Sequence, residues 1–298
     1  MTMRDLEIFA AVAETGRIGE ASSRLFLSQP TVSHVITQIE ERYQVKLFER
    51  FSKQLHITAA GREFLQYARH ILANFGDMER FLYHTSDRQI IRVGASLTVG
   101  SFFLPGIIAK FEKENPDIRT NVYIDNSKDI VKKIHDGTLA AAVIEGAADS
   151  EDVIAREVYE DEMVLICGRT HPFASRGSLR LEDLAGADFV LREEGSGTRA
   201  FLTDLTGSHG IPITEKWVCH SADSIINIVA SGQGVSVISK AALADERRVV
   251  RVKIENMSLT RNFLMIYHRD KYLSPALLKL MEAFQKYFRL IQQESFLT

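Results

Sequence analysis

The stretch Ile18–Glu40 constrains the fold of this chain more than any other, because it has the pattern of two short helices joined by a tight turn. In the first helix, Ala21 recurs at helical spacing with larger apolar residues, and it is small enough for a second helix to approach closely. Ser28 is a favourable N-cap for the second helix, and Pro30 falls in its first turn, where a missing N–H is not needed. The stretch is therefore predicted to be a helical hairpin.

The second predicted helix has one apolar face and one polar face. Its apolar residues recur at i, i+3, i+4 and i+7, and they are Val32, Val35, Ile36 and Ile39. The opposite face carries short or neutral hydrogen-bonding side chains, with no acid before Glu40. Such a face suits the edges of base pairs, whereas a solvated surface helix usually mixes Glu and Lys. A DNA-binding helix-turn-helix is therefore favoured, and an ordinary helical hairpin packed in a core is the alternative.

The segments around this hairpin extend the same domain. Residues 3–15 have the pattern of an amphipathic helix. After the hairpin, two short strand-like runs flank Ser52-Lys53, which predicts a β-hairpin, or wing, with a cation at its tip. Between Lys46 and Arg62, four basic side chains and one acidic side chain give a local net charge of +3, whereas the whole chain carries −3. Contact with DNA is therefore expected to be local.

A long helix is predicted to begin after Thr58, which is a favourable cap. Its apolar residues are spaced alternately by four and three positions over about two and a half heptads, which is typical of a helix that pairs with another helix. We expect a dimerisation helix, and the alternative is a helix that lies on the core of its own domain. The seam residues are Phe64, Ala68, Ile71, Phe75, Met78 and Leu82.

From Ile90 onward the pattern changes to an alternation of strands and helices, which predicts an α/β region with a mostly parallel sheet. The predicted helices include Phe102–Lys113 and a final helix over Pro275–Ile291. The length of the region suits two lobes. The chain is expected to leave the first lobe near Glu160 and to return near Leu264.

Composition narrows the class of protein. With 45% hydrophobic and 25% charged residues among 298, the chain is a globular protein large enough for two or three domains. No apolar run approaches the ~20 residues that cross a bilayer, and the N-terminus has no secretory apolar core. A cytoplasmic location without membrane association is therefore expected. Cys167 and Cys219 are expected to be buried free thiols, and neither a metal site nor a cofactor is predicted.

The run G-R-I-G-E-A-S-S-R-L-F-L-S-Q-P-T-V-S-H-V-I-T-Q-I-E, followed by K-L-F-E-R and I-T-A-A-G, closely resembles the LysR-type transcriptional regulators, most tightly over residues 3–65. The resemblance implies an N-terminal all-α winged helix-turn-helix with a long linker helix, and a C-terminal α/β two-lobed domain like that of periplasmic binding proteins. It also implies a homodimer that assembles into a homotetramer through the effector domains. The implied domains are a winged helix-turn-helix at 1–58, a linker and dimerisation helix at 59–87, and an effector-binding domain at 88–298, with lobe I at about 88–161 and 265–298 and lobe II at about 162–264.

The expected partner of the N-terminal domain is an operator in double-stranded DNA. Carried over by position, the resemblance implies that the second helix of the hairpin enters the major groove and that the wing meets phosphates or the minor groove. His34 stands where arginine or glutamine is more frequent in the family, and it reaches less far than arginine. The predicted DNA-binding residues are Gln29, Pro30, Thr31, Ser33, His34, Thr37, Arg50 and Lys53.

The sharpest motif of the second half is E-E-G-S-G-T-R at Glu193–Arg199, which follows a predicted strand and opens a helix. Its glycines let backbone N–H groups converge, and the helix N-terminus and Arg199 add positive charge, so the motif predicts a cradle for a small anion. A glycine-rich turn with an N-cap is the alternative, and a P-loop is disfavoured because G-x-x-x-x-G-K-[ST] is absent. The motif also resembles the branch of LysR-type regulators that control sulfur or carbon assimilation.

Further hydroxyl groups are predicted where strands end and helices begin, the usual place for ligands in open α/β sheets. Each alone is more often a plain helix cap, but together they would form a polar pocket between the lobes. The predicted effector-binding residues are Ser96, Thr98, Ser127, Gly195, Ser196, Gly197, Thr198, Arg199 and Ser221.

These features predict a DNA-binding regulator whose activity is modulated by a small anionic metabolite. A solute-binding protein is one alternative, but it leaves residues 1–88 without a role. A metabolite-binding α/β enzyme with an accessory helical domain is the other alternative. It is disfavoured because the sequence has no G-x-S-x-G motif, metal-ligand cluster or dinucleotide fingerprint.

Overall fold

A computed structural model gives the structure of the chain and describes residues 1–51, 54–83, 89–148, 150–244 and 246–295. The described chain divides into two compact units. The N-terminal unit comprises residues 1–87 with the short segments 135–138 and 270–272, and the C-terminal unit comprises the remainder. Within the described ranges, no helix combines the length and the apolar character needed to span a bilayer.

The N-terminal unit is a winged helix-turn-helix followed by a long helix, as the sequence predicts. Its elements are α1 (Met3–Thr15), α2 (Ile18–Leu25), α3 (Gln29–Tyr43), β1 (Phe48–Phe51), β2 (Gln54–Ile57) and α4 (Ala59–Tyr83). Ser28 caps α3, because its Oγ accepts the N–H of Thr31 at 3.2 Å. Thr58 caps α4 in the same way, by accepting the N–H of Gly61 at 2.9 Å. The predicted helix starts are thus confirmed together with their caps.

The apolar faces of these helices pack into one core. Ala21 and Val32 are fully buried, which brings α2 and α3 close together. The ring of Phe9 lies 5.4 Å from that of Phe48 and 4.6 Å from that of Phe64, measured between centroids. Because this core holds the apolar side of α3, the polar side of the helix faces solvent.

The predicted seam on α4 divides into two parts. Phe64 and Ala68 pack into the core of the N-terminal unit, so they are not available to a second copy of the chain. Farther along the helix, Ile71, Met78 and Leu82 are exposed. The seam therefore combines residues that pack in their own domain with residues that no part of the described chain covers.

The C-terminal unit is built on one ten-stranded sheet. Its strands are β3 (Gln89–Ser96), β4 (Ile118–Asp125), β5 (Ala141–Glu145), β6 (Val153–Gly168), β7 (Ser178–Leu179), β8 (Asp188–Arg192), β9 (Thr214–Cys219), β10 (Val235–Ser239), β11 (Val249–Ile254) and β12 (Thr260–His268). The main path has the order β4-β3-β5-β12-β6-β10-β8-β9, and β7 and β11 lie off it. β3 pairs in parallel with β4 and β5, and β8 pairs in parallel with β9 and β10. The predicted parallel pairing is thus found in each lobe, whereas β6 and β12 pair antiparallel with their neighbours.

β6 and β12 connect the two lobes. β6 pairs with β12 as far as Glu162 and with β10 from Met163, so the chain enters lobe II there, close to the expected exit near Glu160. β12 begins at Thr260, earlier than the expected return near Leu264. The strand opens with three polar residues, and the apolar pattern from which the return was predicted begins only after them.

The helices of the C-terminal unit flank this sheet. They are α5 (Leu97–Phe102), α6 (Leu104–Glu114), α7 (Ser127–His135), α8 (Gly197–Ser208), α9 (Ala222–Ala230) and α10 (Pro275–Ser295). α5 and α6 replace the single helix predicted over Phe102–Lys113. Pro105 lies in the first turn of α6, and it interrupts the helix because it has no N–H to continue the hydrogen bonds of α5.

Candidate DNA-binding surface and effector site

The polar side of α3 is presented to solvent. Ser33 is half-buried there, and the other predicted residues of this helix are exposed, namely Gln29, Pro30, Thr31, His34 and Thr37. Together they offer hydrogen-bond donors and acceptors without negative charge. A helix with this surface can approach the edges of base pairs without electrostatic repulsion from phosphates.

An open groove of about 1030 Å³ is lined by α2, α3 and the wing strands. Gln29 and Arg50, which the sequence predicts as DNA contacts, lie on its wall. Arg17 and Gln54 line it as well, and the sequence analysis did not single them out. Because both come from segments flanking the helices, only the fold brings them beside α3. Lys53, the predicted cation at the wing tip, lies outside the described residues.

Glu40 ties the wing to α3. Its carboxylate accepts the N–H groups of Leu47 at 2.8 Å and Phe48 at 3.1 Å, and it accepts a hydrogen bond from Lys46 Nζ at 2.8 Å. Burial alone would raise the pKa of Glu40, but Lys46 and the two N–H groups outweigh it and lower the pKa below its ordinary value. The side chain therefore stays ionised and holds the start of β1 against the helix.

In the C-terminal unit, the predicted hydroxyl groups lie at the ends of β3, β4 and β8, as their places in the sequence indicate. The buried members of the predicted set are Ser96, Thr98, Ser127, Ser196, Gly197 and Thr198. Gly197 lets α8 begin directly against β5, because a Cβ at this position would lie only 2.6 Å from the carbonyl oxygen of Glu145. Gly195 has a φ of 87°, a left-handed backbone that glycine adopts without strain, and its carbonyl accepts the N–H of Lys128 at 3.2 Å.

The anion in this cradle is a side chain of the protein itself. Glu145 Oε1 accepts the N–H of Thr98 at 2.9 Å. Its other oxygen, Oε2, accepts Thr198 Oγ1 at 3.1 Å and Arg261 Nη1 at 2.6 Å. The hydroxyl of Ser127 donates to the Glu145 carbonyl at 3.0 Å. Of the predicted donors, Thr98 and Thr198 therefore converge on the carboxylate of Glu145, and Ser127 contacts the main-chain carbonyl of the same residue.

Arg261 supplies the positive charge of the site. Besides Glu145, its Nε donates to Asp161 Oδ2 at 2.9 Å, Nη1 donates to Thr198 Oγ1 at 2.9 Å, and Nη2 donates to Thr98 Oγ1 at 3.3 Å. Arg261, Glu145 and Asp161 have side chains only 4%, 2% and 2% exposed. None of the three was predicted from the sequence. Alternation along β12 could have indicated Arg261, because it shares the buried side of the strand with Phe263.

The two carboxylates differ in their electrostatics. Burial alone would raise the pKa of Glu145, but Arg261 and the donors of Thr98 outweigh it, so the pKa is lowered. Burial raises the pKa of Asp161, and Arg261 and Ser239 only partly offset it, while the charge of Glu145 raises it further. Arg261 thus pairs with two carboxylates, and its positive charge helps to outweigh the effect of burial on the pKa at Glu145 but not at Asp161.

Arg199 and Ser221, which were also predicted, lie outside this cluster. The guanidinium of Arg199 donates to the carbonyl of Arg192 at 3.1 Å and pairs with Glu215 at 2.7 Å. Adjacent helical residues point about 100° apart, so the orientation that brings Thr198 to Glu145 turns Arg199 away. Ser221 caps α9, where its Oγ accepts the N–H of Ser224 at 3.2 Å.

Ser96 is the one predicted hydroxyl that remains without a partner. Its side chain is buried, and its Oγ has no hydrogen-bond partner among the residues that the structure describes. It precedes α5 and lies on the same turn as Thr98. A buried hydroxyl without a partner is uncommon and indicates a group that is free to bind a ligand or a water molecule.

Cys167 and Cys219 are buried free thiols, as predicted. Burial raises the pKa of both, and at Cys219 the charge of Arg192 offsets part of this effect. Both thiols are therefore protonated at neutral pH and weak as nucleophiles.

Comparisons with known proteins agree with this architecture. Residues 3–62 match the model of the bacterial regulatory helix-turn-helix protein, lysR family, and residues 84–289 match the model of the LysR substrate binding domain. The uncharacterized HTH-type transcriptional regulator YeiE of Escherichia coli (strain K12) is 33% identical over 285 residues, which cover 95% of this chain and 96% of that protein.

Two solved structures share the fold. Full-length CbnR complexed with its target DNA has a TM-score of 0.64 at 22% identity, covering 96% of this chain and 100% of that chain. The effector binding domain of QuiR in complex with shikimate has a TM-score of 0.63 at 19% identity, covering 68% of this chain and 99% of that chain.

Proposed function

The chain belongs to the LysR family of transcriptional regulators, and from this premise we propose that α3 and the wing bind its operator while a small anion bound between the lobes modulates the response. Its named relatives are transcriptional regulators, so the chain is a DNA-binding regulator with an effector-binding domain and not an enzyme. We further propose which residues contact DNA, which chemical class of effector binds, and which surfaces form the oligomer.

The proposal for DNA rests on the exposed face of α3, which carries no acid before Glu40. Beside it, Arg50 lies on the groove wall, and Lys53 adds a second cation to the wing sequence. Side chains of α3 would contact base edges, and the wing cations would contact phosphates. Base contacts determine which sequence is bound, whereas phosphate contacts add affinity for every sequence.

This division of roles can be tested with the full-length protein and an operator selected from a random DNA pool. Arg50→Ala and Lys53→Ala should each weaken binding to the operator and to unrelated DNA alike, and each should reduce the salt slope by about 1. Gln66→Ala, at an exposed position of α4 outside the proposed interface, is the control. Unchanged salt slopes in both wing variants would show that the wing does not touch phosphates.

The proposal for the effector rests on the buried site in which Thr98, Thr198 and Arg261 already bind the carboxylate of Glu145. Backbone N–H, hydroxyl and guanidinium donors that suit one carboxylate suit a carboxylate or another oxyanion of a metabolite. The unpartnered hydroxyl of Ser96 offers a further donor. These groups support an anionic effector bound where the lobes meet.

A thermal-shift screen of small organic acids and inorganic oxyanions on the full-length protein would find candidate effectors. Thr198→Val keeps the shape of the side chain and removes a hydroxyl, so it should weaken the best anion by ~1–3 kcal/mol. Thr203→Val, at an exposed position of the same helix, should not change the affinity. A screen in which only cations or neutral molecules bind would contradict the anionic assignment.

Exposed apolar surface supports self-assembly. On α4, Ile71, Met78 and Leu82 are exposed, and Phe75 is half-buried on the same predicted seam. The edge strands of the large sheet, β4 and β9, also expose apolar side chains. We assign dimerisation to α4 and tetramer assembly to the C-terminal units, because apolar patches of this kind mark interaction surfaces.

Sedimentation of Met78→Glu tests the α4 assignment, because a carboxylate in a helix pair without a partner is costly. The variant should dissociate at concentrations at which the wild type is dimeric. Gln66→Glu adds the same charge off the seam and should sediment as the wild type does. If Met78→Glu stays dimeric and binds DNA normally, the dimer contact lies elsewhere.

A further inference from the structure

We infer that Glu145 is an internal ligand of the effector site, and that an anionic effector binds by taking over its donors while Glu145 takes up a proton. This inference rests on the proposed function, because it requires an anion to bind where the lobes meet. Glu145 is the group that competes with the effector, and it is also the group that takes up the proton. The ligands that fit this exchange are carboxylates and other oxyanions of similar size.

The donors around Glu145 are fully used. Thr98 N–H, Thr198 Oγ1 and Arg261 Nη1 all point to its carboxylate. Each nitrogen of the Arg261 guanidinium has an oxygen partner within 3.3 Å. Nη2 also lies 2.9 Å from Asp161 Oδ2, so an added anion can reach this guanidinium only by displacing a carboxylate or a threonine hydroxyl that already contacts it.

Displacement has an electrostatic consequence. The charged groups that face Glu145 are Arg261 of β12, Arg192 of β8 and Asp161 of β6. Arg192 is held by the adjacent Glu193 through two hydrogen bonds of 2.8 Å, and Asp161 competes for Arg261. Among the described residues that face Glu145, no cation without an acidic partner is therefore available for a displaced carboxylate. Two neighbouring buried anions with one cation are disfavoured. A displaced Glu145 loses the contacts with Arg261 and Thr98 that lower its pKa, whereas Asp161 keeps its hydrogen bond from Arg261 Nε, so the proton goes to Glu145.

The site also holds a donor that Glu145 does not use. Ser96 Oγ has no partner in the described chain, although Ser96 is on the same turn as Thr98. An anion with more than two oxygens can use this hydroxyl in addition to the three donors that it takes over. This extra hydrogen bond gives an effector an advantage over the internal carboxylate, which has only two oxygens.

Calorimetry of the full-length protein with succinate and with sulfate, in two buffers of different ionisation enthalpy, tests the coupling. Binding to the wild type should take up about one proton per anion, and the affinity should rise by up to tenfold for each unit by which the pH falls. Glu145→Gln removes the competing charge and should bind the anions at least tenfold more tightly at pH 7.5, without proton uptake. Glu215→Gln, which removes a carboxylate paired with Arg199 outside the cluster, should behave as the wild type does.

Ser96→Ala gives an independent check, because it should weaken sulfate severalfold while the proton count stays near one. Anion binding by the wild type without proton uptake, and with the same affinity in Glu145→Gln, would overturn the internal-ligand inference and leave the anionic effector site intact. If neither anion binds to the wild type or to Glu145→Gln, the anionic effector itself is wrong. The proton count of the wild type decides the question even if Glu145→Gln does not fold.

Discussion

The DNA-binding surface and the effector site use similar polar side chains in opposite ways. On α3, the polar residues lie on an exposed face, and their role is decided by what approaches them from outside. Around Arg261, the polar residues are buried and already paired with one another. The proposed DNA-binding face is therefore accessible as it stands, whereas the proposed effector site would have to exchange internal partners for external ones.

This difference determines where substitutions act. Removing a side chain from an exposed helix face changes binding and leaves the fold alone, because no buried group loses a partner. Removing one member of a buried charged cluster leaves its partners without compensation, so stability and ligand binding change together. In the C-terminal unit, the side chains of the buried charged cluster thus form the proposed site and also contribute to the stability of the fold.

The largest effect is expected for Arg261→Met. The substitution leaves Glu145 and Asp161 buried without a cation and should reduce the free energy of unfolding by ~3–5 kcal/mol, as measured by urea denaturation. Arg199→Met is the matched control, because Arg199 and Glu215 are 22% and 45% exposed and such pairs contribute ~0–1 kcal/mol. Equal losses in the two variants would remove the distinction between the buried cluster and the surface.

A moderate effect is expected on the DNA side. Ser33→Ala and His34→Ala should each weaken specific operator binding by ~1–3 kcal/mol if their side chains contact bases. The unfolding free energy should change little, because neither side chain makes a hydrogen bond to another residue in the part of the chain that the structure describes. If both variants keep full operator affinity, the polar face of α3 is only a solvated surface.

The smallest effect is a pH dependence of the free energy of unfolding, to which Asp161 and Glu145 contribute with opposite signs. The raised pKa of Asp161 means that its contribution to stability is present below about pH 3.8 and is lost as the pH rises through the raised value. The lowered pKa of Glu145 means that its contribution is present above about pH 4.5 and is lost as the pH falls through the lowered value.

Urea denaturation between pH 3.5 and pH 7 should therefore separate two variants. Relative to the wild type, Asp161→Asn should gain stability as the pH rises. The stability deficit of Glu145→Gln should shrink as the pH falls below about 4.5. If the free energies of unfolding of the two variants changed with pH in parallel, Arg261 would stabilise the two carboxylates equally.

The contrast between the regions also explains what the sequence could predict. The caps at Ser28 and Thr58 and the polar face of α3 depend on residues a few positions apart, so local spacing was enough to predict them. The buried polar groups of Thr98 and Thr198 were predicted from strand ends for the same reason, and their role in effector binding stays a proposal. Their actual ligand, Glu145, was not predicted, because it meets them only when β5 packs against α5 and α8.

Two further differences have the same origin. Arg199 lies two residues after Gly197, but helical geometry turns it towards Glu215. Arg261 is far from the motif in sequence, and the pairing of β12 with β5 and β6 brings it to the site. Likewise, the heptad pattern could not show that Phe64 is covered by its own domain while Met78 is exposed.

The crossing of β6 and β12 has a mechanical consequence. Asp161 and Arg261 are directly paired in register on the two strands that join the lobes. When two bodies turn about such a connection, points near the pivot move least and distant points move most. A ligand that rearranges this pair would therefore act on a short lever arm, and a small change in angle would become a larger displacement at the far ends of the lobes. Substitutions of Asp161 or Arg261 that change ligand affinity would also change the connection between the lobes, because the proposed site and the connection use the same two side chains.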